Sequence, residues 1–132
     1  MTQGMEDAVI APMGMNRHYA DKEPTRAEID AMHEPLVLEF GTPWCGYCRA
    51  AQPLLEAALG EFPDIRHIKI EDGKGKRLGR SFGIKLWPTL VVMRGGEEIE
   101  RLVRPDDIEA MQAAVRKAYA AVRQEAPAAP HD

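Results

Sequence analysis

The chain has 132 residues, enough for one domain with a real core, and its 45% hydrophobic and 29% charged residues are ordinary for a globular protein. A formal net charge of -4 counts against nucleic acid as the main partner, and no apolar run approaches the roughly 18–20 residues that span a bilayer. Met1 to Ile10 holds Glu6 and Asp7 and no Lys or Arg, so the basic start of a secretory leader is missing and the expected compartment is the cytoplasm.

Residues 1–24 read as an N-terminal arm, partly disordered, in which Met1, Met5, Met13 and Met15 follow no period. Thr25-Arg26-Ala27-Glu28 fits a capping box and predicts a short helix from Thr25 to about Met32, ended by Pro35. Leu36–Phe40 predicts a strand buried on both faces, because its apolar residues do not alternate with polar ones. The next helix opens at the cysteines and runs to about Leu59, with Cys48, Ala51, Leu55 and Ala58 on its inner face and Pro53 inside it. Ile65–Ile70 predicts a second strand. Gly73–Gly83 is glycine-rich and basic, with one short helix at Lys76–Phe82; its glycine spacing does not match a phosphate-binding loop. Leu90–Met93 and Glu98–Val103 predict a hairpin turning on Gly95-Gly96. A last helix starts near Asp106, with Ile108, Met111, Val115, Ala118 and Val122 as its apolar stripe, and the Ala- and Pro-rich residues 124–132 read as a disordered tail. Strand–helix alternation in the first half requires parallel pairing, whereas the hairpin pairs antiparallel. The sum is an α/β domain over residues 25–123, with a central mixed four-stranded sheet and helices on both faces.

Cys45 and Cys48 are the only cysteines, two residues apart, directly after the first strand. Such a pair either holds a metal or exchanges electrons. A tetrahedral zinc site needs four ligands, and His18, His33, His67 and His131 are scattered without paired spacing. An inert pair of small hydrophobes is the remaining alternative. For redox exchange the two positions differ. Cys45 stands at the helix start, where unpaired N–H groups and the macrodipole favour a thiolate; Cys48 falls on the inner face. Cys45 is therefore expected to be exposed and attacking, and Cys48 shielded and resolving.

With Trp44-Cys45-Gly46-Tyr47-Cys48, Pro53 in the following helix, Phe82-Gly83-Ile84 and Pro88-Thr89, the chain from about Pro35 to Val122 resembles the thioredoxin family. The resemblance implies a thioredoxin-like fold with Pro88 in the cis form beside the dithiol, and it leaves the backbone of Trp87 open for pairing with a substrate strand. It places Glu39 at the family's buried acid beneath the second cysteine and Lys69 at the lysine that approaches it. Burial is then expected to raise the pKa of Glu39 and to let it relay a proton to Cys48. Trp44, Gly46, Tyr47, Trp87 and Pro88 become the substrate-docking rim. Arg104, where the family often has glycine, joins that rim and favours the Cys45 thiolate if it reaches it.

Besides Arg104, three departures stand out. Tyr47 replaces the usual proline, as in bacterial disulfide isomerases; Gly41 replaces a Trp that often follows the strand; and Leu86-Trp87 replaces a smaller pair. What the resemblance implies is a monomeric thiol–disulfide oxidoreductase, free of metal and cofactor, acting on disulfide-containing proteins and re-reduced by a donor such as a thioredoxin reductase. The alternatives are a partner-specific isomerase or oxidant, and a module that keeps the fold only to bind. Met13, Met15 and Tyr19 mark the arm for packing or docking.

Overall fold

The computed structural model describes residues 14–128, with side chains through residue 121. Its strands are β1 (Leu36–Gly41), β2 (Arg66–Glu71), β3 (Thr89–Arg94) and β4 (Glu97–Val103), and its helices α1 (Arg26–Asp30), α2 (Gly46–Leu59), α3 (Arg77–Ser81) and α4 (Ile108–Ala128). The strands form one mixed sheet in the order β2-β1-β3-β4. β1 runs parallel to β2, with Val37 opposite His67 and Glu39 opposite Lys69, and antiparallel to β3.

Strand alternation divides the core. Val37, Leu90 and Val92 turn to one face, where Ala51, Leu55 and Ala58 of α2 and Met111, Val115 and Ala118 of α4 cover them. Leu36, Leu38, Phe40, Ile70, Val91 and Met93 turn to the other, against Ile29 of α1 and Leu78 and Phe82 at α3. Every residue of β1 is buried, as expected of a strand covered on both faces.

Local chemistry fixes the smaller pieces. Thr25 and Glu28 form the reciprocal capping box of α1, with bonds of 3.0 and 2.9 Å. Arg26 then ties α1 to α3: it donates to the Ser81 carbonyl at 2.9 Å and lies 3.7 Å over the Phe82 ring. Gly95 and Gly96 both have positive φ, 61° and 82°, the backbone that a two-residue hairpin turn requires.

Three details differ from the sequence reading. The cap of α4 is Asp107 rather than Asp106; its carboxylate accepts the Glu109 N–H at 2.9 Å. The helix itself continues through Ala128, into the stretch expected to be a tail: Gln124, Glu125 and Ala126 are helix formers that extend an existing helix without a new nucleus, and Pro127 falls only in its last turn. The arm is ordered from Gly14 onward. Gly14 and Ala20 donate to the carbonyls of Ile65 and Lys69, and Met15 packs on the core. β2 is an edge strand, so its outer backbone groups need partners, and the arm supplies them. Met13 and the rest of residues 1–13, and residues 129–132, lie outside the described residues.

A Cβ on Gly96 would stand 2.8 Å from the Asp30 carbonyl, on a backbone with φ of 82°. Gly96→Ala is expected to cost about 1–3 kcal/mol, read as a lower urea midpoint with an unchanged slope.

Candidate active site

Cys45 is the N-cap of α2. Its Sγ accepts the backbone N–H of Cys48 at 3.2 Å, and its carbonyl accepts the N–H of Arg49 at 3.0 Å. The helix N-terminus is thus aimed at sulfur, which favours negative charge there. Both cysteines are free thiols. The expected contrast in exposure is smaller than the helix position suggested: Cys45 is 8% accessible and Cys48 2%. The exposed surface here belongs instead to the neighbouring aromatics, Trp44 at 67% and Tyr47 at 60%.

Cys48 rests against β1. A Cβ on Gly41 would stand 2.5 Å from Cys48 Sγ and 3.5 Å from the Tyr19 hydroxyl. The glycine that replaces the family's usual Trp therefore makes room for the second sulfur. Burial above all, then the bond to Cys45 and the negative charges of Cys45 and Glu39, push the Cys48 thiol up to about 12, against a lowering backbone bond from Thr42.

Glu39, fully buried, projects from β1 on the same face of the sheet as His67 and Lys69. His67 Nε2 lies 2.9 Å from its Oε1, Gln52 Nε2 donates to its Oε2 at 2.8 Å, and Lys69 Nζ stands 3.8 Å from Oε2. Gln52 also donates to the Cys48 carbonyl at 2.9 Å and accepts from Lys69 Nζ at 2.9 Å. This corrects the sequence expectation that burial raises the Glu39 pKa. Burial is the largest single influence and acts upward, but the opposing influences, led by the His67 hydrogen bond and joined by the charge of Lys69 and the Gln52 bond, outweigh it, and the carboxyl is held below the usual range. Glu39 is an anion at neutral pH.

The other wall is the loop before β3. The Trp87-Pro88 bond is cis. Trp87 packs edge-on against Trp44, with centroids 5.6 Å apart, and its indole N–H donates to Asp72 at 2.9 Å. Arg104, just beyond β4, has φ of 49° and is the one positive-φ residue other than glycine among those described. Three contacts hold it: its N–H donates to the Pro88 carbonyl at 2.8 Å, its Nε donates to the Trp87 carbonyl at 2.9 Å, and its guanidinium lies 4.0 Å over the Tyr47 ring. Tyr47, Leu54, Pro88, Arg104 and Pro105 line a cleft of about 220 Å³ here. The family model of thioredoxin matches residues 18–117, a span that contains all of these groups. The chain belongs to the thioredoxin family.

Solved thioredoxins share the architecture. Reduced thioredoxin 2 from Pseudomonas aeruginosa PAO1 is 45% identical over 81% of this chain and 99% of that one, with a TM-score of 0.71. Among curated relatives, thioredoxin from Chlamydia muridarum is 33% identical over 67% of this chain and 87% of that protein. Thioredoxin H2-1 from Oryza sativa is 32% identical over 56% of this chain, which spans 54% of that longer protein.

The thioredoxin fold thus brings Cys45, Cys48, Glu39 and Lys69 to one end of the sheet and sets Trp44, Tyr47, Trp87, Pro88 and Arg104 around it. Gly46 is the first residue of α2, and a Cβ there would meet nothing within 4 Å. The sequence reading missed Gln52 and Asp72, singled out Tyr19 only as part of the arm, and considered His67 only as a scattered metal ligand. Gln52 carried a signal, four residues after Cys48 and so on the same helix face. So did His67, which alternates with Ile65 and Lys69 on a buried face. Asp72 carried none, nor did the place of Tyr19 beside Cys48, because their partners are remote in sequence. Among the described residues no three His, Cys, Asp or Glu side chains converge as a metal site, and no helix is long and apolar enough to cross a membrane. A cleft of about 410 Å³ between Phe62, Arg116 and Tyr119 lies away from the cysteines, and its polar groups already pair, Arg116 with Glu61 and Tyr119 with Asp64.

The lowered Glu39 pKa has a defined consequence for acid stability. Between its folded value and the ordinary value of about 4.3, the unfolded chain binds the extra proton, so stability rises with pH; the contribution is complete above that window and is lost as pH falls through the folded value. Glu39→Gln is expected to lower stability at neutral pH and to flatten its decline between about pH 5 and pH 3, by about 1.4 kcal/mol per unit of depression removed. Urea unfolding across that range measures it, and an unchanged slope would assign the acid sensitivity to other carboxylates.

Proposed function

We propose that the chain is a thiol–disulfide oxidoreductase that reduces protein disulfides with the Cys45–Cys48 dithiol. The observation that carries this reading is the asymmetry of the pair: Cys45 caps a helix N-terminus, whereas Cys48 is buried beside an anionic Glu39 with its thiol pushed up to about 12. The Cys45 thiolate attacks one sulfur of the substrate disulfide; a Cys45–substrate bond forms and the other substrate sulfur leaves as a thiolate. Cys48 then loses its proton, attacks Cys45 Sγ and releases the second substrate thiolate. Two electrons pass to the substrate and the enzyme is left as the Cys45–Cys48 disulfide.

A buried thiol such as Cys48 needs a base to attack at neutral pH, and Glu39 is the buried anion next to it. Lys69 supports that anion. Trp44, Tyr47, Leu86 and Val103 are the large hydrophobics exposed among the described residues, and all flank the dithiol or the Trp87–Arg104 wall, which suits docking of an unfolded or extended protein segment. The open space over Gly46 admits its backbone. Substrates are disulfide-containing proteins. The donor that re-reduces the pair is a dithiol reductase of the thioredoxin reductase class, the protein acts as a monomer, and its setting is a reducing cytoplasm. Neither metal nor cofactor takes part in this scheme.

Cys45→Ser is the direct test. Dithiol-reduced protein is expected to reduce a generic protein disulfide, and the variant to lose that activity while retaining the fold; a fully active variant would leave a binding module as the function.

Arg104 is assigned a specificity role at this rim. The Trp87 carbonyl is one of the backbone groups an incoming strand would pair with, and Arg104 Nε occupies it. Arg104→Gly suits the left-handed backbone and frees that acceptor. It is expected to raise kcat/KM for a generic disulfide about 2- to 10-fold, the worth of one hydrogen bond. An unchanged or lower value would mean that Arg104 contacts substrate itself.

A further inference from the structure

The arm and His67 meet beneath the dithiol. The backbone N–H of Asn16 points at His67 Nδ1 at 2.9 Å, and His67 Nε2 lies 2.9 Å from Glu39 Oε1, with His67 fully enclosed. A nitrogen that accepts an N–H cannot also carry a proton toward it. Nδ1 is therefore bare, the single imidazole proton sits on Nε2, and that proton is donated to Glu39. The ring has no second site at which to take up a proton while Asn16 stays docked, so it does not pass one through; it holds one still.

We propose that His67 is a positioning residue for the buried acid: the N-terminal arm, through the Asn16 backbone, locks its tautomer, and the locked Nε2–H orients Glu39 and keeps it ionised beside Cys48. This rests on the redox reading of the dithiol. Further observations place the arm in the same assembly. Tyr19 lies 4.6 Å from Lys69 Nζ across its ring face, pairs with Lys69 as a β-bridge and brings its hydroxyl over Gly41 and Cys48. Tyr19, Cys48, Gln52 and Lys69 also share a cleft of about 170 Å³, which gives solvent a route to the second cysteine. The ionisable groups that interact with Glu39 are His67 and Lys69 from β2, Cys48 at the start of α2, and Tyr19 from the arm.

With Oε1 held by His67 and Oε2 by Gln52, Glu39 takes the Cys48 proton as a fixed base. The carboxyl proton returns to the Cys48 thiolate when the Cys45–Cys48 disulfide is reduced again. Without the His67 donor, burial acts on Glu39 with less opposition, so it protonates at higher pH and the base is lost earlier as pH falls.

Three measurements test this. Imidazole nitrogen NMR of the reduced protein at neutral pH is expected to find the His67 proton on Nε2 and Nδ1 bare; a proton on Nδ1 overturns the proposal. Carboxyl-carbon NMR of Glu39 and the pH profile of disulfide reduction are then compared in wild type, His67→Leu and His67→Gln. The Leu variant is expected to move both the Glu39 midpoint and the acid limb of the rate upward by about one unit, a factor of ten in the protonation equilibrium. The Gln variant, whose amide can accept from Asn16 and donate to Glu39, is expected to restore them.

A folded Leu variant with unmoved midpoints overturns the positioning role. Should the Leu variant not fold, Asn16→Pro, which deletes the backbone donor to His67 together with the Asn16 side chain that accepts the His18 N–H, is expected to free His67 Nδ1 and shift its nitrogen signal; an unchanged His67 signal in that variant overturns the part given to the arm. The Glu39 titration needs no turnover, so a protein that reduces no disulfide would refute the redox function while still testing the His67–Glu39 coupling.

Discussion

A carboxylate enclosed at the centre of a sheet is costly unless every lone pair finds a donor, and Glu39 sets that condition for this structure. No single element can meet it. Parallel pairing of β1 with β2 brings His67 and Lys69 to its face, the first turns of α2 bring Gln52, and the arm supplies the N–H that fixes His67. Gln52 is shared between Glu39 and the Cys48 carbonyl, so the same bonds that satisfy the acid seat the helix that carries the cysteines. The dithiol is placed by the requirements of the group beneath it.

The rim follows a different logic, that of backbone held in uncommon conformations by side chains. Asp72 anchors the Trp87 indole, the Pro88 bond is cis, and Arg104 keeps a left-handed backbone through two carbonyl bonds and the Tyr47 ring. A non-glycine residue in that region costs about 1–2 kcal/mol, so three contacts converging on one arginine are what sustain it. Tyr47 and Arg104, two departures from the usual family sequence, are thereby one feature: the aromatic ring replaces proline between the cysteines and gives the guanidinium a surface to lie on.

Much of the fold was legible because it is written in short-range chemistry. The capping box at Thr25–Glu28, the all-buried run of β1, the glycine pair of the hairpin and the stripe of α4 each need only neighbours within a turn or a strand pair. The cysteine spacing and the cap position of Cys45 were equally local. The direction of the Glu39 pKa was not. From sequence, a lone acid in an apolar strand is a buried acid, and burial alone raises its pKa; the donors that reverse the sign lie 13 and 28 residues away. The docking of residues 14–20 on β2 was not legible for a related reason, since weak composition says nothing of an edge strand whose backbone lacks partners. The far end of α4 went unread because Pro- and Ala-rich composition suggests a tail, while Gln124, Glu125 and Ala126 extend a helix already nucleated and Pro127 comes only in its last turn.

By itself, then, the sequence determined the order of elements, the sheet's mixed pairing, the reactive pair and the family, since each depends on residue type and spacing along the chain. Only the tertiary structure decided the charge of Glu39, the proton placement on His67, the pairing of Arg104 with Tyr47 and the docking of the arm. Each of those is an interaction between segments far apart in sequence, and its energy depends on distance and enclosure, which no spacing of residues encodes.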